Sequence, residues 1–284
     1  MIDIVRTPYV RIVASTVLNS DVLEEFARSH GLGSFAEYNK GTPLSKIINA
    51  SYNQGSHLDY LAEFAGRFCY RSWDKGRNHN DYLRNVISEH HGNVLAHGNV
   101  SFIITGVSRS LTHELVRHHV GTNPSQESQR YVCAEGGEIE IIGFMANRAV
   151  MPPIIQKFAT LETENEFRED YILALKAYDK WLNKIKNNLP DNLSKTLRKK
   201  RAQEAARCFL PNASETRLVW TMNMRAARNV CEQRGNEHAD LEIRHLAVAM
   251  TRELQGVAPV QMFDSNIYMA DDGFEAVSFT YSKV

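Results

Sequence analysis

The stretch NVSFIITGV, Asn99 to Val107, runs directly into SRSLTHELVRHH, and this junction constrains the fold more than any other feature of the chain. In its first part Val100, Phe102 and Ile104 alternate with Asn99, Ser101 and Ile103, the period of a strand with one buried face. In its second part Ser108 carries a helix N-cap side chain, and Leu111 and Leu115 recur one turn apart, which predicts a helix to about His119. No linker separates the two elements. A chain with this junction needs strand and helix in one core, so neither an all-helical bundle nor an all-strand sandwich accommodates it. Glu114, Arg117 and His118 fall at i, i+3 and i+4 and are predicted to share a face of that helix. Gly121, Asn123 and Pro124 are expected to end it.

Residues Tyr9 to Ser15 and Thr216 to Met222 read as further strands, and Glu138 to Phe144 as another candidate. Helical spacing marks Leu61 to Tyr70, Asp81 to His90, a long run from Phe167 to Ile185, Ser194 to Phe209, Arg225 to Arg234 and His238 to Leu254. Residues 31–55 show little periodicity and are expected to be irregular. No repeat or Pro/Gly-rich linker divides the chain, so one mixed α/β (α+β) domain over residues 1–284 is expected, with a helical part over 155–210. A chain of 284 residues, 43% of them hydrophobic, can bury such a core.

Lys+Arg and Asp+Glu both number 33, and no block of one sign suggests a nucleic-acid-binding tail. No leader or membrane-spanning run stands out, and a cytoplasmic location is expected. Any anionic ligand must then be met by local clusters. The four cysteines, Cys69, Cys133, Cys208 and Cys231, lack a CxxC spacing and read as reduced, mostly buried thiols.

Three polar clusters stand out. In RHHVGTNPSQESQRY, Arg117 to Tyr131, the residues Ser125, Ser128 and Arg130 have the chemistry of a phosphate cradle, because a planar guanidinium and hydroxyl donors match phosphate oxygens. A solvated loop has the same composition. HELVRH, His113 to His118, puts Arg117 where a zinc protease has its second ligand, so no metal site is expected. In LRKKRAQEAARCFLP, Lys200 and Arg207 return to one side of a helix; a solvated basic face is the alternative for its other cations. Finally, NMRAARNVCEQRGNEH places Asn223 and Arg225 at a strand end, where α/β proteins commonly meet ligands, and Asn229 and Arg234 on the helix that follows.

These clusters, with FAGRFCYRSW (Phe64 to Trp73), HGNVLAHGNVSFIITGVSRSLTHELVRH (His91 to His118), SQESQRY (Ser125 to Tyr131), ARCFLPNA (Ala206 to Ala213) and TMNMRAARNVCEQRGNEHADLEIR (Thr221 to Arg244), resemble the flavin-dependent thymidylate synthases from about Phe64 to Phe263. The resemblance implies a central, mostly antiparallel sheet flanked by helices, with the first 60 or so residues as a variable part. It implies FAD as cofactor, with NADPH and methylene-tetrahydrofolate as co-substrates, and dUMP converted to dTMP. It also implies a homotetramer whose sites are shared between subunits. Carried over by position, His91, Asn93, Arg117, His118, His119, Gln126, Asn223, Arg225, Asn229 and His238 would line the flavin site. Glu114, Arg117, Gln126, Ser128, Gln129, Arg130, Tyr131, Lys200, Arg207 and Arg234 would hold dUMP. Arg234 would be catalytic, stabilising negative charge as it develops on the pyrimidine.

The chain departs from the family pattern in places. His119 stands for an arginine, VGTNP carries one extra residue, and HGNVLAH has Ala96 for an acidic residue and Asn93 for a hydroxyl residue. These changes keep two further readings open: a same-fold enzyme with a changed outcome, such as dUMP hydroxymethylation or use of dCMP, and a non-catalytic nucleotide-binding relative.

Overall fold

The two clearest alternating runs become neighbouring strands of one sheet. The computed structural model describes residues 2–32, 42–52, 56–73, 77–131 and 147–284. Among these residues the strands are β1 (Asp3–Val5), β2 (Tyr9–Ser15), β3 (Asn99–Ser108), β4 (Thr122–Gln126), β5 (Arg148–Val150), β6 (Glu215–Asn223), β7 (Ser265–Met269) and β8 (Glu275–Phe279). The helices are α1 (Ser20–Ser29), α2 (Pro43–Tyr52), α3 (His57–Tyr70), α4 (His79–Ser88), α5 (Arg109–Leu115), α6 (Pro153–Gln156), α7 (Leu161–Asn188), α8 (Lys195–Ala206), α9 (Met224–Gly235) and α10 (Leu241–Val257). The main sheet has the order β2-β3-β6-β4; β1 pairs with β5 in parallel, Asp3 opposite Arg148, and β7 with β8 antiparallel. This is the expected mixture of helices with an antiparallel sheet.

Local chemistry explains where the helices start. Asn19, Ser56, Asn78, Ser108, Thr160, Ser194, Asn223 and Asp240 each accept a backbone N–H with the side chain, the N-cap bond that satisfies a donor otherwise orphaned in the first turn. Four expectations are corrected. The helix from Ser108 stops at Leu115, not near His119, because the chain turns to enter β4 at Thr122. Arg117 and His118 therefore lie beyond the helix, and the shared face with Glu114 does not form. Residues Pro43–Tyr52 are helical within the stretch expected to be irregular. Of the described cysteines, Cys69 and Cys208 are exposed and only Cys231 is buried. The strand candidate at 138–144, like Cys133, lies outside the described residues.

The chain forms two compact units. The first comprises residues 1–9, 104–117 and 124–219. In it, Ile2, just before β1, Ile4 of β1, and Ala149 and Met151 at β5 pack on Tyr171 and Leu175 of α7, while Tyr178 and Leu182, further along α7, pack on Ala202 and Ala206 of α8. Buried Glu215 accepts from Arg148 through both oxygens at 2.7 Å and from the Gly106 N–H at 2.8 Å, so its charge is paired and hydrogen-bonded. The second unit comprises residues 10–103, 118–123 and 220–284. Its core includes Leu18, Leu23, Leu44, Ile47, Ile48 and Trp73, and the buried Arg228 grips Asp264 with a two-point ion pair at 2.8 and 3.1 Å.

Candidate active site

In the first unit, α5 is anchored at its start. Ser108 Oγ accepts from the Leu111 N–H at 3.0 Å, and the N–H groups of Arg109 and Ser110 donate to the carbonyls of Ser214 and Asn212 at 3.0 and 3.1 Å. The segment after α8 is thereby tied to the start of α5. Beside it lies a cavity of about 430 Å³, lined by Arg109 and His113 of α5, Gln129, Glu204 of α8, and Arg207 and Cys208 of the turn that follows. That volume falls within the roughly 300–1,000 Å³ of small-molecule sites.

The cavity is basic. Arg109 is held below the ordinary arginine range, first by burial of its guanidinium and then by the like charge of Arg207. An anion bound here would neutralise that like-charge repulsion. Next to it, the Ser128 hydroxyl accepts from the Arg130 N–H at 3.2 Å and the Tyr131 N–H donates to the Ser128 carbonyl at 3.1 Å. This turn carries Gln129, Arg130 and Tyr131. Arg130 pairs with Glu204 at 3.1 Å, and the Lys200 ammonium sits 4.9 Å from the centre of the Tyr131 ring. A hydrogen bond from Lys200 holds the exposed Tyr131 phenol below its usual range. Ser125 is an exposed residue of β4, and Ser128 and Arg130 lie in the turn beyond it.

Arg109 and His113 are absent from the set predicted from sequence. The available signal was position: Arg109 is the first residue of a helix leaving a strand end, and His113 follows one turn later. Glu114 is half-buried on α5, and Arg117 occupies the turn after it. Gln126 ends β4 and donates to Thr112 and Thr216.

A second set lies in the second unit. Arg234 Nε donates to His118 Nε2 at 2.7 Å, so that imidazole nitrogen is the acceptor. The Thr122 hydroxyl donates to the His118 carbonyl. Gly121, with φ of 71°, turns the chain between them, and its carbonyl accepts from the Asn223 N–H at 3.0 Å. Asn223 caps α9 through Oδ1, which accepts from the Ala226 N–H at 2.8 Å; its amide Nδ2 hydrogens are therefore what it can offer a ligand. Arg225 Nε donates to the Val284 carbonyl at 3.2 Å, and Asn229 Oδ1 accepts from Gln233. The geometry thus joins His118 to Arg234 and Asn223 to Gly121. His91, Asn93, His119 and His238 are exposed, His238 beside Glu237 at 3.7 Å.

Residues 51–260 match the family described as thymidylate synthase complementing protein. A flavin-dependent thymidylate synthase from Mycobacterium sp. (strain KMS) is 45% identical over 226 residues, covering 77% of this chain and 84% of the relative. Its counterpart in Mycobacterium tuberculosis is 41% identical over 222 residues, with the same coverage. In fold, the chain is similar to a UMP/dUMP methylase from Streptomyces cacaoi solved with 5-Br dUMP, with a TM-score of 0.56 at 16% identity over 92% of this chain and 96% of that one. The match to the family profile and the identity over most of the chain make this protein a member of the thymidylate synthase complementing protein family, the flavin-dependent thymidylate synthases.

Proposed function

We propose that the chain catalyses reductive methylation of dUMP to dTMP, with a flavin as cofactor, methylene-tetrahydrofolate as carbon donor and NADPH as reductant of FAD. The observation that carries the reading is the convergence of Arg109 and Arg207 on one cavity beside Gln129 and the Arg130–Tyr131 turn. Its charge suits the dianionic phosphate of a nucleoside monophosphate. Arg109, Arg207 and Arg130 would take the phosphate. Gln126, Gln129, Ser128, Tyr131, Lys200, Glu114 and Arg117 would orient the rest of the nucleotide.

The second set suits a flavin. Asn223 has spent its oxygen on the α9 cap and has only donors to present, and Arg225 adds a cation, which together fit phosphate oxygens or ring carbonyls. His91, Asn93, His118, His119, Asn229 and His238 of the same unit would complete that shell; for Arg117 and Gln126 a flavin role rests on family resemblance alone. When bound, the flavin supplies the hydride. The protein's own part is orientation and charge: His118 fixes the plane of Arg234 through Nε, and a fixed guanidinium stabilises negative charge on the pyrimidine without reorganising. No thiolate is asked for. Cys231 is fully buried and its thiol is pushed up to about 11 by desolvation, the opposite of an activated nucleophile. Family resemblance supports a homotetramer with shared sites.

The test is the mass of the nucleotide product after anaerobic incubation with FAD, NADPH, methylene-tetrahydrofolate and dUMP, run on the wild type and on Arg234→Ala. We expect one added methyl group from the wild type, and no product from the variant while it still carries flavin. A hydroxymethyl product would replace the proposed reaction with a changed one. Near-normal turnover by Arg234→Ala would remove that residue from the chemistry.

A further inference from the structure

Gln126 is held in a way that its position in sequence does not reveal. Its Nε2 donates to Thr112 Oγ1 at 3.1 Å and to Thr216 Oγ1 at 3.0 Å. Both hydroxyls belong to buried residues, Thr112 at 3% exposure on α5 and Thr216 at 0% on β6. The Thr112 hydroxyl in turn donates to the Arg109 carbonyl at 2.9 Å. A hydroxyl has one hydrogen, so Thr112 has only lone pairs to offer Gln126. This settles which end of the carboxamide faces the threonines: it is the NH₂ group, and both of its hydrogens are used there. The carbonyl Oε1 is what remains for a ligand.

We infer that Thr112 and Thr216 are positioning residues that fix Gln126 as a pure hydrogen-bond acceptor, selecting an N–H or O–H donor on the bound nucleotide. The inference rests on the nucleotide site proposed above. It also explains why an amide suits position 126 in this chain. A carboxylate there would set a lone pair against the lone pairs of Thr112, unless Thr112 gave up its bond to the Arg109 carbonyl. Because that carbonyl belongs to the first residue of α5, the clamp also links the acceptor to the element that carries Arg109.

The test is a double-mutant cycle read by calorimetric titration of dUMP into the purified full-length protein, with melting temperatures to check folding. Gln126→Ala is expected to weaken dUMP on the order of tenfold. Thr112→Val and Thr216→Val should each weaken it several-fold in the wild type, yet by less than about twofold in the Gln126→Ala background, as coupled residues do. Thr112→Ser, which keeps the hydroxyl, should restore affinity. An equal loss in both backgrounds would mean that the threonines only support the helix, and the inference would fall. Silent valine variants beside a weakened Gln126→Ala would remove the clamp and leave the nucleotide site standing. An unchanged affinity in Gln126→Ala would show that Gln126 does not face the nucleotide and would overturn the inference, whereas the nucleotide site itself stands or falls with Arg109 and Arg207. The two valine variants report on the same cycle independently, so misfolding of one leaves the other as the test.

Discussion

Arg109 shows how burial and charge together specify a ligand. A guanidinium half-withdrawn from water beside a second guanidinium costs free energy that salt screening offsets only in part, and a phosphate removes that cost by supplying the missing counter-charge. Arg109→Met keeps much of the side-chain bulk and deletes the charge. We expect it to weaken dUMP by about 1.5–3 kcal/mol, the usual worth of a hydrogen bond to a charged group, read by titration calorimetry. Thermal stability should hold or rise slightly in the same variant, since Arg207 loses a like-charged neighbour. Unchanged dUMP affinity would show that the cavity is not the phosphate subsite. Arg109→Lys should fall between the two, because an ammonium keeps the charge and loses the planar fork.

Elements place these residues, and glycine decides one placement. Gly121 has a φ of 71°, and a Cβ there would come within 2.5 Å of Asn223 Nδ2, the cap of α9. Gly121→Ala is expected to cost about 1–2 kcal/mol for the left-handed backbone alone, and more if Asn223 is pushed from its cap. Gly256, inside α10 with open space around its Cα, is the control: alanine there should be neutral or stabilising by up to about 1 kcal/mol. Denaturant titrations of both variants make the comparison, and equal effects would show that the turn at 121 is not under constraint. The same elements show what the sequence made legible. Strands β3 and β6 and the long helices α7 and α10 follow from periodicity, since each buries one regular face, whereas β2, in which Val10 alone is buried, follows from its β-branched composition. β4 escaped because Pro124 argues against a strand, and it is tolerated where β4 lies at the sheet edge. The overlong reading of α5 came from Arg117 and His118, whose helical spacing is met by a turn once β4 must begin at Thr122. At the site, His118 and Arg234 were both legible, but not their contact; Arg109 and the threonine clamp depend on pairings between α5, β4 and β6 that no local window contains.

At the scale of the molecule, each compact unit is assembled from three separate stretches of chain, and the chain changes unit inside β2, β3, β4 and β6 and in the turn after α5. Neither unit is a continuous segment that could fold as an excised piece, so a single cooperative unfolding transition is expected. Alkaline pH offers a probe of each. Tyr171 in the first unit is pushed up to about 12, chiefly by burial, and Cys231 in the second to about 11 by the same cause. Both groups have folded pKa values above their unfolded ones, near 10 and 9, so the native state holds its protons more tightly. Their contribution is complete below pH 9 and is lost as pH rises: from about pH 9 to 11 for Cys231, and from about 10 to 12 for Tyr171, on the order of 3 kcal/mol each. Tyr171→Phe should flatten the fall in melting temperature above pH 10, and Cys231→Ala the fall between pH 9 and 11. If the chain unfolds as one, each substitution changes the pH slope of the same calorimetric peak. Two resolved peaks, each responding to only one substitution, would show that the interleaved chain nevertheless unfolds in separable parts.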